Sequence, residues 1–275
     1  LSRYQVLICY IVNMTKKICL VLGSGGSKGL AHLGVIKALR ENNFEITQIA
    51  GTSAGAMMGG LYAANLDGLK LEKEINEMDY LKLFKILLEK PTKNAILRGK
   101  KVEAFLDKLC GEKKIEDLPI KFKAVCSDLI TGNKYVFSKG KLATAIRASC
   151  AIPGIFSPVK FEDKILIDGG AVNPIPVSEV EPRSGEKIIA VGLYSKIFPK
   201  NYNNISKGNI LKIAFSSMQV MVKKLSILDL EKADIKILPP VEDINVLDFV
   251  KAKKYIQIGY ETTMKMIPEI NKLFL

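Results

Sequence analysis

The stretch Ile18-Cys19-Leu20-Val21-Leu22, running into Gly23-Ser24-Gly25-Gly26-Ser27-Lys28-Gly29, decides how this chain folds. Five apolar residues bounded by glycine read as a buried strand. The glycines end it. Leu30, Leu33, Val35, Ile36 and Leu39 then recur at helical spacing and predict an amphipathic helix over 30–40. Ile46 to Ala50 reads as a second short strand, which meets Gly51-Thr52-Ser53-Ala54-Gly55. A small-residue helix follows over 54–65. Strand, glycine turn, helix, strand, serine turn, helix is the alternation of a parallel sheet with crossover helices.

Further along, an amphipathic helix is expected over 69–88, as a core helix in preference to a cap that touches lipid. A helix over 100–109 follows. Strands over 122–127 and 134–137 flank the turn at Thr131-Gly132-Asn133. Residues 142–149 read as a helix, and Pro153, Gly154 and Pro158 as a stiff loop. Ile165-Leu166-Ile167 is a short strand that delivers Asp168. Core strands are expected over 188–193 and 235–238, with a surface loop over 194–208. The helix over 209–228 carries Met218 and Met221, read as core filler. The last helix, from about Val246 to Lys272, is expected to break near Pro268. No repeat or linker interrupts the chain. Residues 14–275 therefore read as a single domain, with 1–13 an extension or an alternative start before Met14-Thr15-Lys16-Lys17.

The 275 residues carry 41 basic and 28 acidic side chains, a net charge of +13. Only five of the basic residues are arginine: Arg3, Arg40, Arg98, Arg147 and Arg183. Base readout and backbone clamps lean on arginine, so nucleic acid is not an expected partner. The charge remains compatible with an anionic lipid surface. No segment is apolar over the roughly 18 residues of a membrane span. The apolar run Val6 to Val12 lacks a small-residue cleavage site, so no secretory signal is read. Five cysteines without C-x-x-C spacing read as buried free thiols of a reducing compartment, and no His or Cys cluster has metal-ligand spacing. A cytoplasmic location is expected, with peripheral contact at the inner membrane face.

Ser53 lies between Gly51 and Gly55 on a strand-to-helix turn, where glycines relieve crowding and leave a hydroxyl exposed. That is the setting of a hydrolase nucleophile. The only histidine, His32, precedes it, whereas a serine hydrolase of the α/β type needs a histidine downstream. If Ser53 is catalytic, a carboxylate must take its proton, and Asp168 at the turn Asp168-Gly169-Gly170 is the candidate. An ordinary aspartate is a poor base at neutral pH, and burial would raise its pKa. The alternative is that Asp-Gly-Gly is only a turn. His32 has no evident orienting acid and reads as a packing or hydrogen-bonding residue.

The turn at residues 23–29 offers free amides at a helix start. A phosphate-binding P-loop would need Gly-Lys-Ser/Thr, and Lys28 is followed by Gly29. A dinucleotide fingerprint would need glycine at position 28. An oxyanion hole formed by the Gly25 and Gly26 amides is the third reading, with Lys28 adding positive field.

These pieces resemble the patatin-like phospholipase family in its short bacterial form. The glycine turn, Gly51-Thr52-Ser53-Ala54-Gly55 and Asp168-Gly169-Gly170 occur in that family's order. Arg147-Ala148-Ser149-Cys150-Ala151-Ile152-Pro153-Gly154-Ile155-Phe156-Ser157-Pro158-Val159 and Asn173-Pro174-Ile175-Pro176 are similar to its loops on either side of the aspartate. The chain departs at Ser24, where the family often has glycine, and at Lys28, where it often has arginine. The resemblance implies a three-layer α/β/α sandwich with a mainly parallel central sheet. It also implies a Ser53–Asp168 dyad and lipid acyl hydrolysis without a metal or other cofactor. A carboxylesterase or thioesterase of the same fold remains an alternative. So does a non-catalytic module that holds an anion or nucleotide at residues 23–29.

Overall fold

The computed structural model describes residues 15–65, 100–194, 210–241 and 252–275. The helix expected over 69–88 lies outside them, as do most of the loop after Tyr194 and the start of the last helix.

Eight strands form one sheet among the described residues: β1 (Lys16–Leu22), β2 (Phe44–Thr52), β3 (Lys121–Asp128), β4 (Lys134–Phe137), β5 (Val159–Phe161), β6 (Lys164–Asp168), β7 (Lys187–Val191) and β8 (Ile235–Ile237). The spatial order is β5-β6-β3-β2-β1-β7-β8, with β4 also paired to β3. Strands β3, β2, β1, β7 and β8 run parallel. The antiparallel part lies on one side, where β3 pairs with β4 and β6, and β5 pairs with β6. The α-helices among the described residues are α1 (Ala31–Glu41), α2 (Ala54–Asn65), α3 (Lys100–Cys110), α4 (Leu142–Ser149), α5 (Ile210–Leu230) and α6 (Ala252–Lys272).

Strand β1 is buried from Ile18 to Leu22, as an inner parallel strand covered on both faces must be. Alternate residues serve different layers. Ile18, Leu20 and Leu22 join the main core with residues of α1, α2, α3, α4 and α6. Cys19 and Val21 face the other side, against Ile175, Val177, Val180 and Leu230. The result is a three-layer α/β/α sandwich in which, among the described residues, the second layer holds the 175–180 segment and the end of α5.

Helices α1 and α6 approach at two glycines. A Cβ on Gly34 would lie 1.9 Å from Ile256 O, and one on Gly259 2.0 Å from Ala31 O. Backbones can meet this closely only where side chains are missing. Contrary to the sequence expectation, α6 continues through Pro268 without a break. Pro268 is exposed, while Ile267 and Ile270 beside it are buried. Packing of the apolar face outweighs the one missing backbone hydrogen bond. The helix expected to start at Leu30 starts one residue later, because Gly26–Leu30 forms a 3-10 turn.

Candidate active site

Register places Ser53 and Asp168 together. Thr52 of β2 pairs with Val125 of β3, and the next β3 residue, Cys126, pairs with Asp168 of β6. Ser53 follows Thr52 directly, so the two side chains approach across the end of β3. Ser53 Oγ donates a hydrogen bond to Asp168 Oδ2 at 2.5 Å.

Ser53 has φ of 56°, the left-handed region that L-residues seldom adopt. This conformation is held at several points. The Ser53 N–H donates to Ser149 Oγ at 2.8 Å, and Ser149 Oγ donates to Val125 O at 2.6 Å. The Ser53 carbonyl accepts from Met57 N at 3.0 Å and from the Cys150 thiol at 3.2 Å. Gly51 and Gly55 stand where the turn leaves no room for a side chain. A Cβ on Gly51 would lie 2.5 Å from Gly55 C, and one on Gly55 2.0 Å from Leu22 O.

Asp168 is buried. Its Oδ1 accepts from the Gly170 N–H at 2.8 Å, which turns Oδ2 toward Ser53. Its backbone is fixed by Asp168 N donating to Ala151 O at 3.0 Å and by Ser127 Oγ donating to Asp168 O at 2.9 Å. Burial pushes its pKa up to about 6, against the lowering effect of the hydrogen bonds from Ser53 and Gly170. The chain bends directly after Asp168 in a 3-10 turn, Gly169–Ala171, in which neither glycine has a positive φ. Gly169 is needed for room, since its Cβ would lie 2.2 Å from Val125 O.

Gly25 and Gly26 line the cleft with Ser53 and Asp168. They stand at the start of the 3-10 turn, where N–H groups lack partners within the turn. The turn is anchored by Gly23 N to Val191 O at 3.0 Å and Ser24 N to Pro174 O at 2.9 Å. His32 Nε2 meets Gly23 O at 2.8 Å, so Nε2 carries the proton. Complete burial pushes the imidazole pKa down to about 4. His32 is therefore neutral and braces the glycine turn, in keeping with its packing role. Lys28 is buried with its Nζ 4.9 Å from the centre of the Tyr194 ring. Tyr194 lines the cleft, so Lys28 bears on it through that ring.

The remaining lining is largely apolar: Ile152, Pro153, Ala171, Met218 and Val222, with Gln219. The cleft volume is about 40 Å³. Several of these residues carried no sequence signal. Ser149 lay within a quoted stretch without a role, and Ser24 Oγ is buried beside Gly170 with no partner among the described residues. Met218 lines the site and Met221 is exposed, which corrects the expectation that both fill the core. Cys19, Cys110, Cys126 and Cys150 are free thiols. Burial pushes Cys19 and Cys110 up to about 12, so neither is a reactive thiolate. Among the described residues no three of His, Cys, Asp and Glu converge as metal ligands, and no helix is long and apolar enough to cross a membrane.

Residues 20–180 match the sequence model of the family described as Patatin-like phospholipase. The chain belongs to the patatin-like phospholipase family. It is 39% identical over 185 residues to an uncharacterized NTE family protein of Mycobacterium tuberculosis, covering 66% of this chain and 50% of that protein. It is 27% identical over 282 residues to the lysophospholipase NTE1 of Yarrowia lipolytica, covering 93% of this chain and 20% of that protein. The chain thus spans half the length of the mycobacterial relative and a fifth of the yeast one. VipD from Legionella pneumophila has a similar fold, with a TM-score of 0.62 at 16% identity, covering 93% of this chain and 67% of that one.

Proposed function

We propose that residues 14–275 form one lipid acyl hydrolase domain, which cleaves fatty acyl esters through Ser53 and Asp168. The observation that carries this reading is the 2.5 Å hydrogen bond from Ser53 Oγ to a buried carboxylate, beside the Gly25–Gly26 turn. Ser53 Oγ attacks the ester carbonyl carbon while Asp168 Oδ2 takes its proton. Negative charge develops on the carbonyl oxygen, where the amides of Gly25 and Gly26 stabilise it. One such donor is worth about 3–4 kcal/mol. The carbonyl re-forms, the alcohol leaves with the proton from Asp168, and the acyl group remains on Ser53. A water then gives its proton to Asp168 and attacks the acyl carbon. The fatty acid departs and Ser53 recovers its proton. A carboxyl with a pKa of about 6 is ionised at neutral pH yet basic enough to share a proton with an alcohol.

The apolar lining and family membership support a lipid ester, as does the name of the yeast relative. The protein then works in the cytoplasm, in peripheral contact with anionic membrane. A fluorophosphonate probe tests the enzyme: the expected result is one label, on Ser53, lost in Ser53→Ala. An unlabelled wild-type protein that gains thermal stability with nucleotide would replace this reading with an anion-binding module. Fatty acid release from a panel of phospholipids, lysophospholipids, simple esters and thioesters then identifies the substrate class.

A further inference from the structure

Helix α5 is apolar on two opposite faces. Met218 and Val222 line the Ser53 cleft on one. On the other, Ile213, Val220, Met221, Ile227 and Leu228 are exposed, Met221 at 59% and Leu228 at 65%. At about 100° per residue, Ile213, Val220 and Ile227 form one stripe, Met221 and Leu228 adjoin it, and Val222 points the opposite way. Lys224 is exposed within the stripe, and the helix has no carboxylate before Asp229. Asp229 is itself buried, accepting from Asn173 Nδ2 at 3.0 Å. That bond ties the end of α5 to the segment that follows the catalytic aspartate.

A second exposed apolar pair lies in the turn after β3, with Leu129 at 57% and Ile130 at 64%. Strands β2 and β3 are parallel, so this turn stands at the sheet edge where β2 delivers Ser53. The exposed apolar row on α5 is the larger of the two, and exposed apolar groups collected in this way mark an interaction surface.

We infer that the outer face of α5 docks on an anionic lipid bilayer. The inference rests on the lipid-hydrolase reading of the site, because α5 is then a wall shared by the substrate cleft and the membrane. The charge agrees. The stripe carries a lysine and no acid, on a chain of net charge +13, the combination that holds a helix in the plane of an anionic interface. Met218 and Val222 of the same helix line the cleft, so a bilayer on its outer face lies against one wall of the substrate site.

The chain contains no tryptophan, so Met221→Trp installs a single reporter. Glu181→Trp, in the exposed loop that leads into β7 at the other edge of the sheet, is the control. With phosphatidylglycerol vesicles, the Met221→Trp protein should co-sediment, shift its emission to the blue and be quenched by brominated lipid. Glu181→Trp should co-sediment without the shift. Met221→Glu combined with Leu228→Glu should weaken vesicle binding about tenfold or more, since two apolar side chains no longer enter lipid. The same variant should hydrolyse a soluble nitrophenyl ester at the wild-type rate. Unshifted Met221→Trp emission on sedimenting vesicles overturns the inference, as does equal binding to neutral phosphatidylcholine vesicles. A dimer that the double glutamate variant dissociates, with vesicle binding unchanged, assigns the face to a second copy instead. Loss of soluble-ester hydrolysis in the wild type would count against the enzyme and leave the sedimentation result to stand alone.

Discussion

Asp168 Oδ1 accepts the Gly170 N–H at 2.8 Å, and this bond fixes which carboxylate oxygen meets Ser53. The acid is oriented by its own backbone turn. A serine–histidine pair needs a third residue for the same purpose. One strand end thus supplies both the carboxylate that meets Ser53 and the group that aims it.

The first prediction concerns pH. The pKa of Asp168 is pushed up to about 6 by burial, and the base must be ionised to accept the Ser53 proton. Hydrolysis of a soluble ester should rise with pH through about 6 and then level off. Asp168→Asn should lower kcat by about 10²–10⁴-fold across the range. Because the folded pKa lies above the unfolded value, ionising the buried carboxyl costs up to about 3 kcal/mol at pH 8. The inactive Asp168→Asn variant should therefore melt no lower than wild type at pH 8. A clear drop in Tm there, measured by calorimetry, would contradict the burial argument.

His32 gives the opposite sign. Its folded pKa of about 4 lies below the ordinary value of 6.5. Its neutral form is fully compatible with the fold above pH 6.5, and stability is lost as pH falls from there toward 4. The loss reaches up to about 3 kcal/mol. Between about 4 and 6 the gain from protonating Asp168 offsets it. Asp168→Asn should expose the slope of His32 as a steeper fall in Tm with acid, and His32→Gln should remove it. His32→Gln should also keep ester hydrolysis within about threefold of wild type, whereas loss of a general base costs 10²-fold or more.

The strands and the serine turn were legible in the sequence because each rests on a local steric demand, whereas the approach of Asp168 to Ser53 across 115 residues was suggested by the missing downstream histidine and by the family resemblance. An unbroken apolar run has to be an inner strand. A serine between two glycines at a strand end has to turn sharply. Ser149 was illegible for the converse reason: its role is a hydrogen bond to a backbone 96 residues away in sequence. Nothing next to it in the chain encodes that. Met218 and Met221 misled because apolar spacing is read as a packed face, and α5 carries apolar residues on a face that lines the cleft and on another that is exposed. Pro268 misled because a local penalty was weighed without the buried isoleucines that outweigh it.

The two glycines after Asp168 should respond differently to alanine. A Cβ on Gly169 meets Val125 O at 2.2 Å and Thr52 Cγ2 at 3.0 Å, in the middle of the sheet. Gly169→Ala should cost about 2–4 kcal/mol of stability and abolish activity. A Cβ on Gly170 meets Asp168 Oδ1 at 3.0 Å and Ser24 Oγ at 3.4 Å. Those are side-chain atoms that can move. Gly170→Ala should fold, with kcat lowered because the carboxylate is pushed from its aim. Equal melting temperatures for the two variants would show that close approach to β3 does not set the requirement.

Ser149 is a positioning residue, and its removal should separate turnover from binding. Its Oγ accepts the Ser53 N–H and donates to Val125 O, all within buried surroundings. Ser149→Ala leaves that amide without a partner, at about 1–3 kcal/mol. The amide belongs to a residue already strained by about 1–3 kcal/mol in the left-handed region. The turn should relax toward ordinary φ and swing Ser53 Oγ off Asp168. Expected are a kcat lowered about 10–100-fold with KM for a soluble ester nearly unchanged, and fluorophosphonate labelling slowed in proportion. The pH profile should keep its midpoint near 6, because the surroundings of Asp168 are intact. A fall in Tm with kcat and labelling rate preserved would mean that Ser149 supports the fold but not the aim of Ser53. A raised KM at constant kcat would mean that it shapes the cleft.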